Sequence, residues 1–208
     1  MGLLSTTLVV PGLHGSGPDH WQTWFERQVP EARRVEQTNW EQPVLARWAE
    51  EVRRGIDLAE GAVWIVAHSF GCLAAVAAAA ERCDRVAAAL LVAPADPDRF
   101  STVGLCRDGD RSHVGVGALL PREPLGFPSL VVASGNDPWA PLTKAAYWAN
   151  LWGSRLHFLG NAGHINPASG FGPWPEGLAL FRSMQETNDG IPLGRLDLRP
   201  RACRRTPS

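Results

Sequence analysis

With 208 residues, 45% of them hydrophobic and 20% charged, the chain is sized for one domain that can bury about 70% of its unfolded surface without disulfide or metal staples. A formal net charge of −1 and a pI near 6.6 give no bulk attraction to nucleic acid or to an acidic membrane, so neither is expected as a partner. The start of the chain lacks a signal pattern, no run approaches the roughly 20 apolar residues of a membrane span, and Cys72, Cys83, Cys106 and Cys203 form no C-x-x-C pair, which together predict a reduced, cytoplasmic protein.

Residues 6–10 read as a first buried strand that stops at Pro11-Gly12, and a glycine-dense loop follows over 13–18. Asp19 is placed to cap a helix over 20–28. A short strand is expected over 33–37. Pro43 suits a first helical turn, and Val44, Leu45, Trp48, Val52 and Ile56 recur at helical spacing to about Leu58. Residues 62–67 form a short apolar run bounded by Gly61, as a strand buried on both faces would be. Past Ser69 the chain becomes alanine-rich, predicting a helix over 72–80.

Another apolar run covers 86–93 and is closed by Pro94. From there to Phe127 no periodicity is visible, and a loop of that length predicts a functional segment able to cover a site. Residues 129–134 resume the strand pattern, and a helix is expected over 141–152. A last strand over 155–159, a glycine-rich turn at 160–164 and a helix over 176–186 complete the domain, set at 1–188. The arginine- and proline-rich segment 189–208 is expected to be a disordered tail. Strands alternating with helices predict an α/β fold, a mostly parallel sheet with helices on both faces, whose ligands bind at the carboxyl ends of the strands.

Three polar residues occupy such ends: Ser69, Asp137 and His164. Ser69 stands between Ala67 and Gly71, in a variant of the G-x-S-x-G strand-turn-helix elbow that exposes a serine hydroxyl. A neutral hydroxyl needs a base, which histidine supplies near neutral pH, and a carboxylate must hold the imidazole tautomer. His164 and Asp137 are the candidates, in the chain order Ser, Asp, His. Each has a plainer reading: Ser69 as a helix cap, Asp137 as a turn residue, His164 as a loop residue. Asp96, Asp98, Asp108 and Asp110 are the competing carboxylates. An oxyanion would need two backbone donors, assigned to the amides of Phe70 and Leu13, with Ser16 as the alternative if the register slips.

Trp21, Trp139 and Trp174 adjoin the oxyanion loop, the acid and the base, so they could line an aromatic groove, although packing explains them equally. The six histidines show no H-E-x-x-H or comparable ligand spacing, and no Walker pattern follows the glycines of 12–17, so neither a metal nor another cofactor is expected.

Four stretches, PGLHGSGPDHW, AHSFG, SLVVASGNDPW and GNAGHINPASGFGPWPEG, span about residues 6–187. In them the chain resembles the small serine hydrolases of the YdeN and retinoblastoma-binding protein nine type, within the α/β-hydrolase superfamily. The resemblance implies a single-domain α/β-hydrolase fold without a large inserted cap domain, with Ser69 as nucleophile, Asp137 as acid and His164 as base. It implies hydrolysis of a small ester, thioester or amide through an acyl-enzyme, without naming the acyl group. Ala67 departs from the commoner elbow glycine, and the basic tail lies outside the resemblance. A binding module on a hydrolase scaffold, docking through the 94–127 loop or the tail, is the alternative, and an intact triad argues against it.

Overall fold

Four short segments rich in valine, leucine and alanine pair edge to edge because each is too apolar to leave either face in water, and two shorter, more exposed strands close the edges of the sheet they form. The computed structural model describes residues 5–106 and 115–189. In it β1 (Ser5–Val10), β2 (Ala32–Arg34), β3 (Ala62–His68), β4 (Val86–Val92), β7 (Ser129–Ala133) and β8 (Arg155–Phe158) form one sheet. Its order is β2-β1-β3-β4-β7-β8, and every pairing within it is parallel.

Alternation along the strands builds two cores. Val63, Ile65 and Ala67 of β3 face α2 (Leu45–Leu58), α3 (Phe70–Ala79) and α4 (Leu142–Trp152), whereas Trp64 and Val66 face α1 (Trp21–Gln28) and α5 (Pro175–Asp189). The chain leaves β1 in one direction toward β2 and later returns to the other side of β1 as β3. The carboxyl ends of β1 and β3 therefore flank the crevice where open α/β sheets bind ligands.

Several boundaries differ from the sequence expectation. The cap of α1 is His20 rather than Asp19, because the His20 Nδ1 accepts the Gln22 amide at 3.1 Å while Asp19 stays exposed. Pro43 precedes the helix instead of joining its first turn, since Val44 holds the cap position with extended backbone. Helix α3 starts at Phe70, directly after the serine. The second strand shortens to Ala32–Arg34, although the Val35 amide still donates to the Val9 carbonyl at 2.8 Å.

The stretch expected as a long loop is a chain of small pieces: a 3-10 turn at Pro97–Arg99, an antiparallel hairpin of β5 (Phe100–Ser101) and β6 (Gly104–Leu105), and a 3-10 turn at Val116–Leu119. Ala95, Phe100, Val116, Leu120 and Leu125 pin it to the core at irregular intervals, which is why no period marks it. Asp108, Asp110, His113, Cys203 and residues 190–208 of the expected tail lie outside the described residues, while Asp189, placed in that tail, ends α5. Among the described residues no helix is long and apolar enough to cross a membrane.

The elbow depends on one close approach. A Cβ on Gly71 would lie 2.5 Å from the Val10 carbonyl oxygen and nearer still to that of Pro11, so only glycine lets α3 begin against the end of β1. Ala67 meets no such limit, because its methyl is buried in the core between paired strands. Gly71→Ala should lower the free energy of unfolding by about 3 kcal/mol, since backbone rather than a side chain must yield, and urea unfolding of the two proteins checks this.

Candidate active site

Ser69 follows the last residue of β3 with φ 55° and ψ −127°, a strained conformation for a residue with a side chain. The strand and helix on either side impose it, and the Ser69 amide is held by the Val92 carbonyl at 3.0 Å. Ser69 occupies the cap position of α3, but its hydroxyl makes no capping bond. It lies instead 2.8 Å from Nε2 of His164.

The other ring nitrogen of His164, Nδ1, lies 2.9 Å from both carboxylate oxygens of Asp137. A carboxylate only accepts, so the neutral imidazole carries its proton on Nδ1 and presents Nε2 as the acceptor for the serine O–H. The side chains of His164 and Asp137 are 7% and 3% exposed, so little water competes for this chain of bonds. Asp137 is aimed by the Trp139 amide, which donates to Oδ1 at 2.8 Å.

The loop carrying His164 is tied down on every side. The Ala162 amide donates to Ser134 Oγ at 2.9 Å and the Gly163 amide to Asn136 Oδ1 at 2.7 Å, linking it to the loop that carries Asp137. The His164 amide donates to Ser169 Oγ at 3.0 Å. Next in the chain, Ile165 adopts a left-handed φ of 49°, rare for a β-branched residue, while fully buried. Its carbonyl accepts the Trp21 indole N–H at 2.9 Å.

Of the competing carboxylates, Asp96 accepts the Asp98 amide and Asp98 pairs with Lys144, and neither bonds to His164. Cys72, one turn into α3, is no rival nucleophile, because burial pushes its thiol well above the ordinary range.

The loop after β1 passes directly beside Ser69. A Cβ on Gly12 would stand 2.7 Å from the Ser69 Cβ and 3.3 Å from its Oγ, so Pro11-Gly12-Leu13 runs along the serine with its backbone exposed to it. Phe70 opens α3, where an amide has no partner within the helix. Neither it nor the Leu13 amide is engaged by another described backbone group. Ser16 is buried away from the pocket, with its hydroxyl donating to Gln22 Oε1 at 2.6 Å. The structure thus places Leu13, not Ser16, on the pocket wall.

A cavity of about 360 Å³ opens over Ser69 and His164, walled by Leu13, Phe100, Trp139 and Pro167 among others. Trp139 lines it, with the Arg99 guanidinium 4.4 Å above the ring. Trp21 and Trp174 do not. They pack edge to face at 5.3 Å in the core between the sheet, α1 and α5, so two of the three tryptophans expected in a groove are supports beneath it.

Two histidines went unassigned in the sequence. His68 Nε2 donates to the His164 carbonyl at 2.9 Å, joining the elbow strand to the loop of the base. His20 lines the cavity, with its ring 4.8 Å from that of His68. Burial is the main cause that holds His68 well below the ordinary histidine range, with the charges of His164 and His20 adding to it. Burial, then Arg34 and His164, pull His20 down to about 4. No sequence signal separates these two residues from ordinary core histidines. Among the described residues no group of three or more His, Cys, Asp or Glu is placed to hold a metal ion.

A parallel sheet bearing a strained serine after its third strand, with Asp137 and His164 on loops after later ones, is the α/β-hydrolase arrangement. The family described as serine hydrolase matches residues 7–183, and the chain belongs to it. Its structure is similar to a YdeN-like hydrolase of Pectobacterium atrosepticum, at 38% identity over 91% of this chain and 94% of that one, with a TM-score of 0.79. The ydeN product of B. subtilis is similar in fold, at 18% identity over 88% and 99% of the two chains and a TM-score of 0.65. So is esterase 2 of Thermogutta terrifontis, in a form phosphonylated by cyclosarin, at 15% identity over 90% and 81%, with a TM-score of 0.59. No curated protein matches the chain in sequence.

The two buried histidines make stability depend on pH with a definite sign. Between about 6.5 and 4 the unfolded chain takes up a proton at position 20 that the folded chain refuses, so stability falls as pH drops through that window and is flat above it. The urea midpoint should fall steadily from pH 6.5 to 4, and His20→Asn, which can keep the cap, should flatten part of that slope.

Proposed function

We propose that this chain is a serine hydrolase of small, uncharged esters, thioesters or amides, working through an acyl-enzyme. The observation that carries the reading is the continuous run of hydrogen bonds from the Asp137 carboxylate through His164 to the Ser69 hydroxyl. Ser69 Oγ attacks the carbonyl carbon while His164 Nε2 takes its proton. The same nitrogen returns that proton to the leaving oxygen, sulfur or nitrogen as the tetrahedral intermediate collapses. A water, deprotonated by His164, then releases the acid. Asp137 holds the tautomer and stabilises the imidazolium that forms at each stage.

The amides of Leu13 and Phe70 take the oxyanion. In a preorganised site each such donor is worth on the order of 10² to 10³ in rate. The cavity has room for a short acyl or aryl group against Phe100 and Trp139. The whole machinery lies in a domain assigned to residues 1–188.

Ser69→Ala should reduce kcat/KM for 4-nitrophenyl acetate by on the order of 10⁴ or more while the circular dichroism spectrum and urea midpoint stay near those of the wild type. Asp137→Asn should lose activity on a similar scale, because an amide cannot hold the same tautomer. Full activity in Asp137→Asn would move the acid to another carboxylate.

A further inference from the structure

His20 sits at the head of α1 as a polar side chain 6% exposed, and one of its ring nitrogens is committed. The backbone N–H of Gln22 can only donate, so His20 Nδ1, 3.1 Å away, must be the acceptor. That fixes the tautomer: the proton of the neutral ring is on Nε2. No described group accepts from Nε2, and the residue forms part of the cavity wall together with Ser69 and His164. The ring is also held in place, 5.5 Å from Trp21 and 4.8 Å from His68.

A second residue with an uncommitted N–H group, Asn166, lines the same cavity. Asn166 accepts the Ser169 amide and hydroxyl on Oδ1, at 3.2 and 2.9 Å, which leaves its Nδ2 amide hydrogens without a described partner. Against these donors the cavity offers one permanently charged side chain among the described residues that line it, the exposed carboxylate of Asp19. A substrate carboxylate would meet that like charge at the rim, while the Arg99 guanidinium beside the cavity lies over the Trp139 ring and donates to the Pro138 carbonyl. A neutral oxygen would find N–H donors on His20 and Asn166 beside the apolar surfaces of Phe100 and Trp139.

We infer that His20 is a specificity-determining residue, whose Nε2–H donates to a neutral ether, hydroxyl or carbonyl oxygen carried by the substrate close to the scissile carbonyl. The inference rests on the proposed hydrolase reading and adds to it the substrate class: oxygenated, uncharged acyl or alcohol groups rather than plain alkyl ones. The ring stays neutral at ordinary pH because burial holds it there, so the donor persists across the working range.

The test compares matched substrates on the full chain. On the acyl side, 4-nitrophenyl methoxyacetate and 3-methoxypropanoate are set against the butyrate and pentanoate. On the alcohol side, 2-methoxyethyl acetate is set against butyl acetate. The variant is His20→Asn, whose shorter side chain can still accept the Gln22 amide but cannot carry a donor to the position of Nε2. His20→Gln, long enough to present an amide N–H, is the rescue.

For at least one pair the ratio of kcat/KM, oxygenated over alkyl, should fall about three- to tenfold in His20→Asn, the worth of one neutral hydrogen bond, and recover in part in His20→Gln. Intrinsic reactivity cancels because each ratio is compared between proteins. If both members of every pair lose by the same factor, or neither loses, His20 is a cap and packing residue and the inference is overturned. If the wild type hydrolyses none of the esters while folded, the hydrolase reading fails first and takes this inference with it. The two failures are therefore distinct.

Discussion

The site exists because the end of β1 and the beginning of α3 come closer together than side chains allow. Gly71 faces the carbonyl oxygens of Val10 and Pro11, and Gly12 faces the Cβ and Oγ of Ser69, so neither glycine position has room for a side chain. This contact brings the Leu13 amide and the Phe70 amide to the same neighbourhood as the serine hydroxyl. It also forces Ser69 into a conformation that a helix cap would not need. The strain, of order 1 to 3 kcal/mol, is borne by a parallel sheet whose central strands are buried on both faces.

His164 is placed by a different means. His164 sits on a loop, and a loop is precise only when its backbone is tied. Here the ties come from four directions: Ser134 and Asn136 on the acid's loop, Ser169 ahead of it in the chain, His68 on the elbow strand, and Trp21 on α1. Ile165 is twisted into a left-handed turn among them. The buried histidine at position 68 thus has a clear structural purpose, since its N–H holds the backbone of His164 while burial keeps its own ring uncharged.

Much of this was legible in the chain itself, and the reasons differ by residue. Ser69, Asp137 and His164 each follow an apolar run, and a parallel sheet collects such ends on one edge. Gly71 announced the close approach because nothing else explains a glycine there at the start of an alanine-rich helix. Trp21 and Trp174 were harder, because an indole beside a site and an indole beneath it have the same sequence context. Only the sheet's alternation assigns them to the lower core. His20 displaced Asp19 as the cap because an imidazole nitrogen can accept an amide as an aspartate oxygen does. The irregular anchors of 94–127, Phe100 and Val116 among them, follow no period and so left no pattern to read.

The measurement that bears most directly on this account is intact-protein mass spectrometry after exposure to a fluorophosphonate, followed by peptide mapping. The phosphorus would bond to the activated serine oxygen with loss of fluoride. The account predicts a single adduct, located on the peptide that contains Ser69. A folded chain that takes up no adduct, or takes it up at another residue, would contradict the claim that the hydrogen-bonded run ending at Ser69 makes it a nucleophile.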